Sequence, residues 1–320
     1  TGAILAMVSQ PTFDPNDLAG HDLTLLDANY KKLNADPQRP LVNRSINGDL
    51  YPPGSIFKVI TAAAALSSGE YTEDSMLPGP AVLELPGTTA SLPNMFPGAC
   101  GANDQVSFTR AMAISCNTAF ASVGMDIGAD ALRAQAEKFG FGDSLSVPMR
   151  VTPSTIPAEL NMPQLAQSSI GQFDVRVTPL QMAMVAAGVA NDGAVMKPYL
   201  VQSVIGSDLS VIETTDPQEL SQAVTPDVAA QLTRMMEAVV TDGSGTRAQI
   251  DGVAVAGKSG TAQHGEGRKP HAWFISFAPA DDPQIAVAVI AEDGGTTGSE
   301  IGGGRVAAPI ARQMMEARLK

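Results

Sequence analysis

Hydrophobic positions change period along this chain, and the change divides it. Thr1-Gly2-Ala3-Ile4-Leu5-Ala6-Met7-Val8 opens as a nearly unbroken apolar run and reads as a strand already under way. The following forty residues are turn-rich, most clearly at Gln10-Pro11-Thr12-Phe13-Asp14-Pro15-Asn16, and read as loops with short elements. Tyr51-Pro52-Pro53-Gly54 then stops the chain before an alanine-rich run from residue 55 to about 66. Proline and glycine followed by strong helix formers predict a helix with Ser55 at its N-terminal edge. A polar Pro/Gly-rich stretch covers about 73–104. Helical character returns at 107 to about 123 and at 130–138, and 153–163 is a proline-punctuated loop. Thr178-Pro179 and Thr225-Pro226 each open another helix, with threonine as cap and proline in the first turn.

Beyond about residue 240 the period shortens. Segments 252–263, 271–277 and 284–291 are rich in Val, Ile, Ala and aromatics and are separated by turn residues. Links this short cannot hold helical crossovers, so the strands pair antiparallel. A last helix covers 307–319. The predicted architecture is α+β: one unit over 1–320, with a helical lobe at about 60–190 inserted between the N-terminal strand and a C-terminal antiparallel sheet flanked by helices.

Composition narrows the function. The chain has 320 residues, 44% of them apolar, enough for a sizeable core. No apolar run approaches the ~20 residues that span a bilayer, and no signal peptide is expected in this stretch. Twenty basic residues against 33 acidic give a net charge of −13, which argues against a nucleic-acid partner. Two cysteines and three scattered histidines do not make a four-ligand metal site, so the chemistry is expected to need no metal or other cofactor.

Three short motifs carry candidate chemistry. At the predicted helix start, Ser55-Ile56-Phe57-Lys58 places an amine one turn from a hydroxyl, on the same helical face. Serine needs a base to become a nucleophile, and lysine serves only if burial or a cationic neighbour lowers its pKa. Alone the pattern is weak, because a Ser-x-x-Lys arises about once by chance in a chain this long. Ser115-Cys116-Asn117 follows, in or at the end of a helical stretch. There a serine and an amide can project together into a cleft, or simply cap a helix. Ser45-Ile46-Asn47 also matches but precedes the candidate nucleophile. Third comes Gly257-Lys258-Ser259-Gly260-Thr261-Ala262 on a predicted strand. A strand glycine marks close approach of a ligand or another backbone, and the flanking cation and hydroxyls suit a carboxylate.

In this order the three motifs resemble the serine penicillin-recognising enzymes, the penicillin-binding proteins and serine β-lactamases. Ser169-Ile170-Gly171-Gln172, followed by Val177-Thr178-Pro179-Leu180-Gln181-Met182-Ala183, and the opening segment sharpen the match. They point to the high-molecular-mass, transpeptidase-only (class B) penicillin-binding proteins. The resemblance covers nearly the whole chain and implies the penicillin-binding protein/serine β-lactamase-like fold. It also implies D,D-transpeptidase activity: Ser55 attacks a D-alanyl-D-alanine stem peptide of peptidoglycan, Lys58 takes its proton, and Ser115 relays a proton to the leaving amine. Asn117 holds the substrate amide. The backbone N–H groups of Ser55 and Thr261 form the oxyanion hole, and Lys258, Ser259 and Thr261, with Gly260 between, anchor the terminal carboxylate. A β-lactam antibiotic enters the same path and stays as an acyl-enzyme.

The implied setting is the extracytoplasmic face of the bacterial membrane. A single-pass anchor, a pedestal domain and a membrane glycan-polymerase partner are expected for the full-length protein. In such a compartment Cys100 and Cys116 either pair or remain two buried thiols. There are departures. Ser259 stands where many relatives have threonine, and Phe173 where glycine is frequent. Pro157 occupies the position of the deacylating glutamate of class A β-lactamases, while Glu159 reads as a surface carboxylate. These features favour a transferase over a β-lactamase. A D,D-carboxypeptidase and a non-enzymatic β-lactam sensor remain the alternatives.

Overall fold

Of the opening apolar run only Ala3 pairs, in a single parallel bridge to Tyr199, so the expected N-terminal strand does not form. Ile4 and Met7 do turn inward, onto a small cluster of Ile46, Val147 and Val151, while Leu5 and Val8 stay in solvent. The inward residues are three apart, not the two of a strand, and the neighbour around Tyr199 is irregular and offers no ladder to extend. The computed structural model describes residues 1–265, 267–294 and 302–320.

The turn-rich region holds a helix that its sequence hid, α1 (Leu23–Ala35), capped by Asp22. It buries no residue, so no apolar stripe marks it. Pro52, Pro53 and Gly54 then turn the chain into a 3-10 turn, Gly54–Phe57, that runs directly into α2 (Lys58–Ser68). Residues 56–66 of this segment are all buried, which makes α2 the central helix. The Pro/Gly-rich stretch contains the short strands β1 (Met76–Pro78), β2 (Val82–Glu84), β3 (Ser91–Pro93) and β4 (Gln105–Ser107). They pair as β1 with β4 and β2 with β3.

The predicted helix over 107–123 is two helices, α3 (Phe108–Ala113) and α4 (Asn117–Ile127). The break falls on the second motif. Ser115 sits at φ +61°, a left-handed conformation that ends a helix. A Cys100–Cys116 disulfide ties the next residue to the loop upstream. Next come α5 (Ala129–Lys138), α6 (Met162–Ser168), which starts inside the predicted loop behind an Asn161 capping box, and α7 (Pro179–Ala190), capped by Thr178. Thus α2 to α7 lie between residues 58 and 190. Two small ribbons follow, β5 (Ala194–Met196) with β8 (Glu219–Gln222), and β6 (Ser203–Ile205) with β7 (Val211–Thr214). Then α8 (Pro226–Asp242) leads to the sheet.

That sheet is β9 (Ala256–Ala262), β10 (His271–Ala278) and β11 (Ile285–Ala291), antiparallel, in the order β11-β10-β9. Every residue of β10 is buried, because helices cover both faces. Trp273, Ile275 and Phe277 pack into the main core with α2, α7 and α8; Phe274 and Ala278 pack with α9 (Gly303–Leu319). Each large apolar side chain so buried contributes about 1.5–3 kcal/mol. The architecture is α+β, and β9 is the sheet's edge against the start of α2.

Candidate active site

The start of α2 is pressed onto β9 by glycines. A Cβ on Gly54, itself at φ +55°, would lie 2.7 Å from the Thr261 carbonyl oxygen, and one on Gly260 would meet Ile56 and the Pro53 carbonyl. Trp273 Nε1 donates to the Pro52 carbonyl at 3.1 Å and Gly54 N–H to the Gly171 carbonyl at 2.8 Å. Ser55 is thereby fixed opposite Ser259 and Thr261. These three hydroxyls line a groove of about 480 Å³ together with Ser115, Ser244, Ile114, Met95 and the segment from Gly302 to Arg305.

Both motif lysines lie behind this surface, fully buried. Lys58 Nζ donates to the Ser115 carbonyl and to Asn117 Oδ1, both at 2.8 Å, and approaches Ser115 Oγ at 3.2 Å. Lys258 Nζ donates to Ser115 Oγ at 2.9 Å and to its neighbour's carbonyl, Ser259 O, at 2.8 Å. Burial, and then the nearby Lys258, push the Lys58 amine well below the ordinary lysine range. Burial brings Lys258 down to about 7. A charged ammonium without a carboxylate partner is costly to bury, and the two lysines share one hydroxyl. The arrangement therefore favours a neutral Lys58. A neutral amine has two N–H bonds and one lone pair. With both N–H groups held by the Ser115 carbonyl and Asn117, the lone pair is left for a hydroxyl proton. Among the described residues the Ser55 hydroxyl holds no hydrogen bond, so it is free to supply one.

The predicted residues thus meet around one groove, but two are placed differently from a simple motif reading. Asn117, 6% exposed, has its carbonyl on Lys58 and donates from Nδ2 to the Pro93 carbonyl at 3.0 Å. Lys258 lies beneath Ser259 rather than in the groove. Ser244 was not anticipated. It joins Ser259 by a hydroxyl–hydroxyl bond of 2.6 Å, and its place between two glycines after a helix was the available signal. Glu159 is exposed and outside the groove lining, and Ser45-Ile46-Asn47 serves the opening segment, where Ser45 donates to the Val8 carbonyl.

One cluster among the described residues gathers metal-ligating groups: His264, His271 and Asp293, with ligand atoms within 4.8 Å of one another. The two imidazoles stack 3.5 Å apart, tilted by 8°, so their lone pairs lie in parallel planes and do not converge on one ion. Asp293 also pairs with Arg268 at 2.8 Å, and its N–H donates to His271 Nδ1. Burial, and then His264, push His271 down to about 4. The cluster ties the loop after β9 to the end of β11.

This arrangement sits in a chain that is similar to known proteins over its whole length. Residues 1–316 match the model of the penicillin binding protein transpeptidase domain. The chain belongs to that family. It is 48% identical over 326 residues to peptidoglycan D,D-transpeptidase PbpA of Mycolicibacterium smegmatis, covering all of this chain and 65% of that protein. To the Mycobacterium tuberculosis protein of the same name it is 45% identical, again over all of this chain and 65% of the relative. Among solved structures it resembles the penicillin G acyl-enzyme complex of M. tuberculosis penicillin-binding protein A. There the TM-score is 0.93 at 45% identity, with all of this chain and 72% of the other covered. The transpeptidase domain therefore spans about two thirds of the curated relatives it matches.

Proposed function

We propose that this domain is the catalytic part of a peptidoglycan D,D-transpeptidase and is acylated by β-lactams at Ser55. The observation that carries the proposal is the shared groove: Ser55 with an unengaged hydroxyl, Lys58 buried and held by Ser115 and Asn117, and β9 opposite. Ser55 Oγ attacks the carbonyl of a terminal D-alanyl-D-alanine bond as its proton passes to the Lys58 lone pair. Backbone N–H groups of Ser55 and Thr261 receive the developing oxyanion, a contribution of about 3–4 kcal/mol per donor. Ser115, bonded to both lysines, passes a proton to the departing nitrogen, and D-alanine leaves. The amine of a second stem peptide then attacks the acyl-enzyme and releases Ser55.

The substrate carboxylate meets the hydroxyls of Ser259 and Thr261 first. Lys258 acts from beneath, polarising Ser115 and supplying positive charge when protonated. Asn117 holds Lys58, and a contact with a substrate amide requires its bond to Pro93 to give way. The whole of 1–320 acts as one transpeptidase unit. The full-length protein sits at the extracytoplasmic face of the membrane on a single-pass anchor and works beside a glycan polymerase. Relatives named peptidoglycan D,D-transpeptidase support a role in peptidoglycan synthesis.

A thioester donor with a D-amino acid acceptor tests the activity. Thiol release that rises with acceptor and yields the aminolysis product is expected. Release indifferent to acceptor would make the domain a carboxypeptidase or β-lactamase, and penicillin labelling without turnover would make it a sensor.

A further inference from the structure

Asn94 lies in the loop between β3 and Cys100, 9% exposed, and all four hydrogen-bonding positions of its carboxamide are filled. Its Oδ1 accepts the backbone N–H of Asn117 at 3.0 Å and of Thr118 at 3.2 Å. Its Nδ2 donates to the carbonyls of Pro80 at 3.0 Å and Gly98 at 3.2 Å. A flipped amide would set donors against donors and carbonyls against a carbonyl, so the orientation is chemically fixed. The helix it meets is α4, whose own cap residue, Cys116, offers only a disulfide-bonded sulfur to the Ala119 N–H at 3.4 Å. Asn94 therefore supplies, from another loop, the oxygen acceptor that a helix start ordinarily takes from its own cap.

The first residue of that helix is Asn117. Its N–H is held by Asn94 and its Nδ2 by the Pro93 carbonyl, while its Oδ1 receives Lys58. We propose that Asn94 is a positioning residue of the acylation step: through Asn117 it fixes the direction of the Lys58 amine toward Ser55. This rests on the function proposed above. The next residue, Met95, lines the groove, so the same anchor also sets one wall. Among the described residues Lys58 faces one charged group, Lys258 from β9, together with Ser115, Asn117 and the Phe120 ring 5.5 Å away. Loosening Asn117 lets water reach the amine and moves its titration back toward the ordinary lysine range.

The test is the rate of acylation by fluorescent penicillin across neutral and alkaline pH for wild type, Asn94→Ala and Asn94→Asp, with circular dichroism on each. Asn94→Ala is expected to acylate about tenfold to a hundredfold more slowly, with the limb that rises with pH displaced to higher pH. Asn94→Asp keeps an acceptor for both N–H groups at a helix start that favours an anion but sets an oxygen against the Pro80 and Gly98 carbonyls, and its rate is expected to fall between those of wild type and Asn94→Ala. Should the alanine variant not fold, Asn94→Ser, too short to bridge both N–H groups, replaces it with the same expectation. A wild-type rate and limb in Asn94→Ala or its serine substitute would overturn the proposal. So would equal slowing in the aspartate variant with the limb unmoved. If wild type itself takes no label at Ser55, the functional reading falls first and this one with it.

Discussion

On one side of the groove, backbone lies on backbone. Gly54 against the Thr261 carbonyl, Gly171 against the Gly54 carbonyl and Gly303 against the Trp273 carbonyl leave no room for even a methyl group. The β9–β10 ladder extends the same contact. On the other side Gly243 lies just as close to the Ala113 carbonyl, but the break beyond it is held by other means. Ser115 is held at a positive φ, and a disulfide and the side chains of Asn94 and Asn117 fix the break between α3 and α4. The first wall is set by shape and tolerates little; the second is a network of individually modest bonds, about 1 kcal/mol each. Ser55 and β9 sit on the first wall; Asn94 and Asn117, the latter bonded to Lys58, sit on the second. Under the proposed function the nucleophile is therefore rigidly placed and the base is steered by the adjustable wall.

The sharpest way to break the contrast is to attack the rigid wall. Gly171→Ala puts a Cβ 2.1 Å from the Gly54 carbonyl oxygen at φ +73°. Strain and overlap together are expected to cost roughly 3–5 kcal/mol, read as a fall in denaturant midpoint together with loss of penicillin labelling. A near-normal midpoint would show that the wall yields after all. A smaller effect tests the other wall. Removing the Cys100–Cys116 bridge by double substitution to alanine deletes a cross-link with a sequence separation of 16. That removal costs about 3 kcal/mol at most by loop entropy. The folded variant is expected to acylate several-fold more slowly, because Ser115 and Asn117 flank the deleted sulfur. Unchanged acylation would show that the side-chain bonds suffice without the bridge.

What could be read ahead of the structure follows the same division. Ser55 and Lys58 are legible because proline and glycine announce a helix start and three residues make one turn. β9 to β11 are legible because apolar runs between turn residues leave few alternatives. The break at Ser115 is not, since Ile114-Ser115-Cys116 holds neither glycine nor proline, and a tertiary tether decides its conformation. Asn94 leaves no local signal, because its partners are 23 and 24 residues downstream. The opening segment misled for a related reason. Its apolar run is real, but a strand needs a neighbour, and among the described residues only Tyr199 pairs with it. Phe173 sits at φ +60°, a left-handed conformation that would suit the glycine the resemblance leads one to expect better than it suits phenylalanine.

Under the proposed function Ser55 is the one hydroxyl made reactive, with the buried Lys58 amine as its base. Intact-mass measurement after penicillin G, followed by peptide mapping, examines this directly. One added drug mass on wild type, located at position 55 and absent from a folded Ser55→Ala variant, is the predicted result. An adduct that persists in Ser55→Ala, or that maps to Ser115, Ser244 or Ser259 instead, would contradict it.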